Sequence, residues 1–140
     1  MPRAKVKDLT QDDYAVLADF RFLLRGFLAF SEGAAREAGL APQQHQALLA
    51  IKGFPGATPP SMGELAERLG VRHHSAVGLV DRLVLAGWLR RATAPDDARR
   101  VALSLTRAGE AKIAALSSAH REELRRLAPL LRQLLARIDG

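Results

Sequence analysis

Apolar residues near the N-terminus recur every three or four positions, which predicts a long helix over about 12–38. Thr10 can cap its start, and Gly39 can end it in a left-handed conformation. Four of the five phenylalanines fall within residues 20–30. A helix that is apolar around so much of its circumference is expected to be buried on two sides.

Three further segments carry helical spacing and clear end signals. The second helix starts at Pro42, and a loop rich in glycine and proline over 53–60 follows it. A capping box at Ser61 and Glu64 opens the third helix, and a glycine ends it. The fourth helix spans about 73–86. Two short helices joined by a tight turn that contains glycine predict a helix-turn-helix.

The pattern then changes to short alternating runs. Two strands are predicted over 88–94 and 100–105, on either side of the turn residues 95–98, which indicates a β-hairpin. Thr106 can cap a long final helix, and we expect Pro129 to break or restart it. The predicted fold class is mostly α with a small β-hairpin wing: a winged helix-turn-helix flanked by N- and C-terminal dimerisation helices.

The composition narrows the classes of function. The chain has 140 residues and no cysteine, so one domain is expected, and disulfides, thiolate metal sites and thiol redox switches are excluded. No apolar run approaches the roughly 18 residues of a membrane span, and the N-terminus lacks the apolar core of a signal peptide. We therefore expect a cytoplasmic protein with no membrane partner. No serine elbow or phosphate loop is present, so no catalytic residue and no cofactor are expected.

The net charge of +6 is concentrated in the middle of the chain. Residues 68–100 contain seven arginines against three aspartates. Arginine presents a planar fork of donors that suits phosphates and the edge of guanine. The charge alone fits a polyanionic partner and an ordinary solvated surface equally well.

The fourth helix has two distinct faces when it is drawn at about 100° per residue. Its core face consists of Ala76, Leu79, Val80 and Leu83. The opposite face can lie in the major groove of DNA, with its N-terminal residues nearest the bases. His74 and Ser75 can hydrogen-bond bases or phosphates, Val77 can contact a thymine methyl, and Arg72 and Arg82 suit phosphates. The candidate DNA-binding residues of this recognition helix are Arg72, His73, His74, Ser75, Val77, Gly78 and Arg82.

Simpler interpretations stay open for several residues. Arg82 can form a surface ion pair with Asp81 instead of binding a phosphate. Because the adjacent His73 and His74 point about 100° apart on a helix, a shared metal ion is disfavoured and no metal site is predicted. His45 on the second helix is more typical of a buried interior histidine than of a ligand contact.

Several stretches together resemble the MarR family of bacterial regulators. They are LAPQQHQALLAI (40–51), MGELAERLGV (62–71), SAVGLVDRLVLAGWLRR (75–91) and DDARRVALSLTRAGE (96–110). The most specific element is Asp97-x-Arg99, followed by alternating apolar residues into Leu-Thr-x-x-Gly. The resemblance implies a sequence-specific DNA-binding transcriptional regulator, a ligand-responsive repressor rather than an enzyme.

The predicted wing supplies a second set of DNA contacts. A lone arginine on a narrow hairpin can enter the minor groove, and Asp97 can orient Arg99 by an ion pair, the role that the family gives to this element. Further candidate phosphate contacts are Arg90, Arg91 and Arg100. The position of Gly78 is usually basic in the family. Its glycine either allows close approach of DNA or removes a base-reading side chain.

The terminal helices are too apolar for a monomer. We predict that they pair with a second copy around a two-fold axis, so that two recognition helices meet half-sites about 10 bp apart on a pseudo-palindrome. The chain is then a single MarR-like domain over 1–140, with dimerisation helices at 10–38 and 107–140 and a winged-helix DNA-binding lobe at 42–106. The candidate dimerisation residues are Leu17, Phe20, Leu24, Leu130, Leu131, Leu134, Leu135 and Ile138.

The resemblance also implies a small-molecule pocket between the dimer helices and the winged helix, with an aromatic or phenolic effector. Its candidate residues are Phe27, Phe30 and His45. A second class of function stays open, namely a winged-helix protein-interaction module that binds DNA weakly or without specificity. The glycine at position 78 and the two histidines before it are the features that favour this alternative.

Overall fold

The computed structural model describes residues 8–93 and 97–139, and within them the chain forms five helices and one two-stranded sheet. The elements are α1 (Gln11–Glu37), α2 (Pro42–Lys52), α3 (Met62–Leu69), α4 (His73–Leu85), β1 (Leu89–Thr93), β2 (Val101–Leu105) and α5 (Arg107–Asp139). The prediction of a mostly helical fold with a small β-hairpin wing is confirmed.

Local end signals place the first helix as the sequence predicts. The Oγ1 atom of Thr10 accepts a hydrogen bond from the backbone N–H of Asp13 at 3.2 Å, and the carboxylate of Asp13 accepts one from the backbone N–H of Thr10 at 2.8 Å. This reciprocal pair satisfies two of the backbone donors that a helix start leaves free. After α1 the chain turns at Gly39, whose φ of 82° is costly for residues with a side chain.

The helix-turn-helix is built on a second capping box. Ser61 and Glu64 exchange hydrogen bonds at the start of α3, with donor–acceptor distances of 3.1 and 3.3 Å. Gly70 ends α3 in a left-handed conformation, and α4 begins two residues after Val71. The turn between the two helices is therefore tight, and it fixes the start of α4 on the surface.

The hairpin pairs β1 with β2 in antiparallel register, Leu89 opposite Leu105 and Thr93 opposite Val101. The predicted alternation of β2 is only partly correct. The alternation predicts an apolar face of Val101, Leu103 and Leu105 and a polar face that includes Ala102. Ala102 is instead buried, and Val101, which pairs with the exposed Thr93, is half exposed. Residues 94–96, which include the end of the first predicted strand and the start of the predicted turn, lie outside the described residues.

The prediction that Pro129 breaks or restarts the last helix is wrong. α5 is one helix of 33 residues with Pro129 inside it. A proline within a helix removes one backbone hydrogen bond and costs about 3 kcal/mol. Leu127 and Leu134 are buried on either side of it, so side-chain packing holds the helix together across the proline.

The contacts divide the described chain into two compact units. We call residues 31–119 the winged-helix unit and residues 8–30 with 120–139 the helical unit. The winged-helix unit has a core of residues from its three short helices and the hairpin, including the fully buried Leu48, Leu65, Val80, Leu83 and Leu103. None of the helices in the described chain is both long and apolar enough to span a membrane.

The first turn of α5 packs against the backbone between α4 and β1. The Oγ1 of Thr106 donates to the carbonyl of Gly87 at 2.6 Å, and the N–H of Thr106 donates to the carbonyl of Trp88 at 3.1 Å. A Cβ at Gly109 would lie 2.0 Å from the carbonyl oxygen of Trp88, closer than any side chain allows. Glycine is therefore required for this approach.

The helical unit has a smaller core and a large exposed apolar surface. Arg137 near the end of α5 pairs with Asp12 at 2.7 Å and Asp19 at 3.3 Å on α1. Leu134, a predicted dimerisation residue, is only 4% exposed and packs inside this unit. The exposed large apolar side chains of this unit are Leu9, Tyr14, Leu17, Phe20, Phe22, Leu24, Leu28, Leu124, Leu130, Leu135 and Ile138.

Candidate nucleic-acid interface

α4 presents its predicted faces. The four residues of the predicted core face, Ala76, Leu79, Val80 and Leu83, are buried. The structure brings the candidate DNA-binding residues together on α4 and its N-cap, Arg72. The exposed members are Arg72, His73, His74, Ser75 and Arg82, while Val77 and Gly78 are partly buried.

A cleft of about 560 Å3 runs along α4. Sequence reasoning missed the residues that α2 and α3 contribute to it, Gln43, Gln46 and Arg68. They share it with the α4 residues His74, Ser75, Gly78 and Arg82. One guanidinium group and two amides from the neighbouring helices therefore flank the recognition helix on one side. Arg68 was visible in the sequence as part of the basic segment, but its position beside α4 depends on the packing of α3.

The wing extends one arginine into solvent. The backbone N–H of Arg99 donates to Oδ1 of Asp97 at 3.0 Å, and Nε of Arg99 lies 3.5 Å from the same oxygen. The Arg99 side chain is 94% exposed. The carboxylate of Asp97 therefore orients a guanidinium that has no other part of the described chain to cover it.

The other wing arginines make contacts within the chain. Nε of Arg90 donates to Oγ of Ser104 across the hairpin at 3.1 Å. Arg91 pairs with Asp81 on α4. Arg100 is partly buried, pairs with Glu64 and reaches the carbonyl of Pro59. Their guanidinium groups are therefore not equivalent to that of Arg99 as phosphate contacts.

Glu64 links the wing to the helix-turn-helix. The pKa of its carboxyl is held below the ordinary value of 4.5, chiefly by the backbone N–H of Ser61, then by the Ser61 hydroxyl and the nearby Arg100. The backbone N–H of Leu103 on β2 donates a hydrogen bond to the carbonyl of Pro60 at 3.0 Å. The same carboxylate thus caps α3 and pairs with the arginine that precedes β2.

The candidate pocket residues belong to both units. Phe27 and Phe30 lie in the helical unit, where each makes an edge contact with the ring of His120, at centroid distances of 6.0 and 5.3 Å. His45 is buried within the winged-helix unit. Among the described residues, no three histidines or carboxylates are arranged to hold a metal ion, and His73 and His74 are not part of such a group.

Comparisons with known proteins agree with this architecture. A family model described as MarR family matches residues 38–100. The HTH-type transcriptional regulator YcgE of Bacillus subtilis (strain 168) is 34% identical over 84 residues, which is 60% of this chain. That match spans about half, 53%, of the relative's length.

Solved structures of MarR-type proteins share the fold. Wild-type apo MarR from E. coli matches with a TM-score of 0.65 at 23% identity, covering 85% of this chain and 93% of that one. AbsC of Streptomyces coelicolor matches with a TM-score of 0.68 at 18% identity, covering 94% and 99%. A mutant of MepR from S. aureus, bound to an oligodeoxyribonucleotide, matches with a TM-score of 0.65 at 18% identity, covering 94% and 95%. With its helix-turn-helix, wing and flanking helices in this order, the chain is similar to the MarR family of winged-helix proteins, whose model matches its residues 38–100.

Proposed function

We propose that the protein is a sequence-specific, double-stranded DNA-binding transcriptional regulator, acting as a homodimeric repressor on a pseudo-palindromic operator. The observation that carries the proposal is the pairing of an exposed α4 N-terminus with a solvent-extended Arg99 on the wing. The first can enter a major groove and the second the adjoining minor groove. Similarity to a family of transcriptional regulators supports the same function and argues against an enzyme.

In this proposal α4 lies in the major groove. His73, His74 and Ser75 stand at its N-terminal end and meet the edges of the bases. Arg72 and Arg82 bind phosphates, and the cleft between α2, α3 and α4 brings Arg68 to the same strand. Val77 and Gly78 form the apolar part of the surface, where a thymine methyl can fit.

The exposed apolar residues of the helical unit support a dimer. Leu17, Phe20, Leu24, Leu135 and Ile138 are all among its exposed large side chains, Leu130 is exposed too, and Leu131 is partly buried. A contiguous apolar surface on a soluble protein is typical of an interface. A two-fold dimer would cover this surface and present two recognition helices to half-sites about 10 bp apart.

We extend the proposal to a response to a small aromatic or phenolic effector. Phe27 and Phe30 already pack edge-on against His120, and aromatic rings favour such packing with a further ring. His45 is the third candidate contact, on the winged-helix unit. A ligand that binds one spacing of the two DNA-binding lobes more tightly than the other would shift the population away from the operator-binding state. Binding to genomic DNA would place the protein in the bacterial cytoplasm.

Selection of bound duplexes from random DNA, with mass measurement of the complexes, tests the proposal. We expect an enriched pseudo-palindrome and two chains on each duplex. The logarithm of the affinity should fall linearly with the logarithm of the salt concentration. Recovery of no preferred sequence, with no salt-dependent binding, would refute a DNA-binding function and favour the protein-interaction alternative.

A further inference from the structure

The sequence of α4 contains a single acidic residue, Asp81. Asp81 lies about two helical turns after His74 and next to Arg82, on the outward face of the helix. Its side chain is more than half exposed. A carboxylate is thus placed on the surface that, under the proposed function, faces the phosphates of DNA.

The carboxylate of Asp81 is paired with a cation from the wing. Arg91 on β1 donates from its guanidinium to Oδ1 of Asp81, and both side chains are solvent accessible. The pair joins the recognition helix to the first wing strand. Because it is exposed, it contributes little to folding stability. Its main physical consequence is that two charges near the proposed DNA surface cancel.

We propose that Asp81 withholds Arg91 from DNA phosphates and so lowers the affinity for DNA of any sequence. This inference rests on the proposed function. To bind a phosphate, Arg91 would have to leave Asp81 and expose an unpaired carboxylate to DNA. Since binding to non-operator DNA comes almost entirely from charge, one neutralised arginine weakens it directly. The base contacts from the N-terminus of α4 are untouched. Because a phosphate contact acts about equally on all sequences, operator and non-operator affinities fall together.

A double-mutant cycle on the full chain tests the inference, with a mixed-sequence duplex as the probe. Asp81→Asn releases Arg91 and should tighten binding about eightfold for each chain in contact with the duplex at about 0.1 M salt. Arg91→Gln leaves the carboxylate unpaired and should weaken binding by about the same factor. The double variant should return to within about twofold of the wild type, because the pair counts as zero charge.

The salt dependence gives an independent measure. The slope of log affinity against log salt should become steeper by about 0.9 in Asp81→Asn and return to the wild-type value in the double variant. With an operator duplex, Asp81→Asn should tighten binding by about the same factor as with the mixed duplex, so that the affinity ratio stays constant. A matched control is the exposed pair of Arg125 and Glu122 on α5, 2.7 Å apart, where Glu122→Gln makes the same charge change. It should leave the slope unchanged.

The outcomes distinguish a failure of the proposed function from a failure of this inference alone. If the wild type shows no salt-dependent binding, the proposed function fails and this inference fails with it. If the wild type binds but Asp81→Asn has no effect and the double variant is as weak as Arg91→Gln, Arg91 binds DNA independently of Asp81. That result would overturn the inference alone. Circular dichroism and thermal melting, unchanged by these exposed substitutions, show that the variants are folded.

Discussion

The winged-helix unit and the helical unit distribute their apolar residues in opposite ways. In the winged-helix unit the large aliphatic side chains converge on one core, and few are exposed, such as Leu49, Leu85 and Val101. In the helical unit most of the large apolar side chains on α1 remain accessible. One unit therefore completes its core within the chain, whereas the other leaves exposed the apolar surface that the proposed dimer would cover.

The largest expected effect comes from the closed core. Leu83 on α4 is fully buried, and Leu83→Ala should lower the free energy of unfolding by about 2–5 kcal/mol through the cavity that it leaves. Leu85 on the same helix is 90% exposed, so Leu85→Ala should change it by less than about 0.5 kcal/mol. Chemical denaturation measures both. Equal effects would contradict the assignment of the core.

A charge on the exposed apolar surface of the helical unit should break the proposed dimer without unfolding the winged-helix unit. Phe20→Glu places a carboxylate in the proposed interface and should weaken dimerisation at least about a hundredfold. Sedimentation across a range of concentrations measures the shift. Leu49 in the winged-helix unit has the same 43% exposure as Phe20, and Leu49→Glu should leave the oligomeric state unchanged. A Phe20→Glu variant that sediments as the wild type does would place the interface elsewhere.

The wing provides the next test. Arg99→Ala should weaken operator binding by about 1–3 kcal/mol, because an extended guanidinium leaves the minor groove. The unfolding free energy should not change, since the side chain packs against nothing but Asp97 within the described residues. Fluorescence anisotropy with the selected operator gives the affinity. Unchanged binding would show that Arg99 is not part of the DNA interface and that α4 makes the contacts without it.

Gly78 offers a smaller effect that separates its two interpretations. A Cβ at this position would meet only the Arg82 guanidinium, at an ordinary 3.7 Å, within the described chain. Gly78→Ala should therefore stabilise α4 by about 0.5–1 kcal/mol in thermal melting. If DNA approaches the helix backbone here, the same variant should bind the operator more weakly. Unchanged or tighter binding would show instead that the glycine merely lacks a side chain that reads bases.

The smallest effect concerns acid stability. Because folding lowers the pKa of Glu64, its contribution is fully present above the ordinary value of 4.5 and is lost as the pH falls through the folded value. Glu64→Gln keeps a capping residue but removes the titration. Denaturation across this pH range should show a shallower loss of stability in the variant than in the wild type. Parallel pH curves would show that Arg100 and Ser61 do not act through this carboxylate.

Sequence reasoning worked where a few neighbouring residues decide the structure. The capping boxes at Thr10 and Ser61 and the left-handed turn at Gly70 are local, so their positions follow from residues within about four positions. Pro129 shows the limit of the same logic. Its cost is local, but the packing of Leu127 and Leu134 that outweighs it is not visible in the adjacent sequence.

The candidate interface likewise has features that follow from neighbouring residues and features that depend on long-range contacts. The outward face of α4 follows from helical periodicity, and the Asp97–Arg99 contact joins residues two positions apart. The pairing of Arg100 with Glu64 joins residues 36 positions apart, and nothing in either segment specifies it. Arg68 likewise reaches the cleft beside α4 only through the packing of α3. The sequence shows where the arginines are concentrated along the chain. Tertiary contacts decide which of them are available to a partner.

The close contact at Gly109 has a mechanical consequence. With the first turn of α5 resting directly on the carbonyl of Trp88, no layer of side chains separates the two backbones to absorb a displacement. The hydrogen bonds of Thr106 to Gly87 and Trp88 hold the same junction. A tilt of that turn would therefore be transmitted directly to the start of β1 and to the end of the recognition helix.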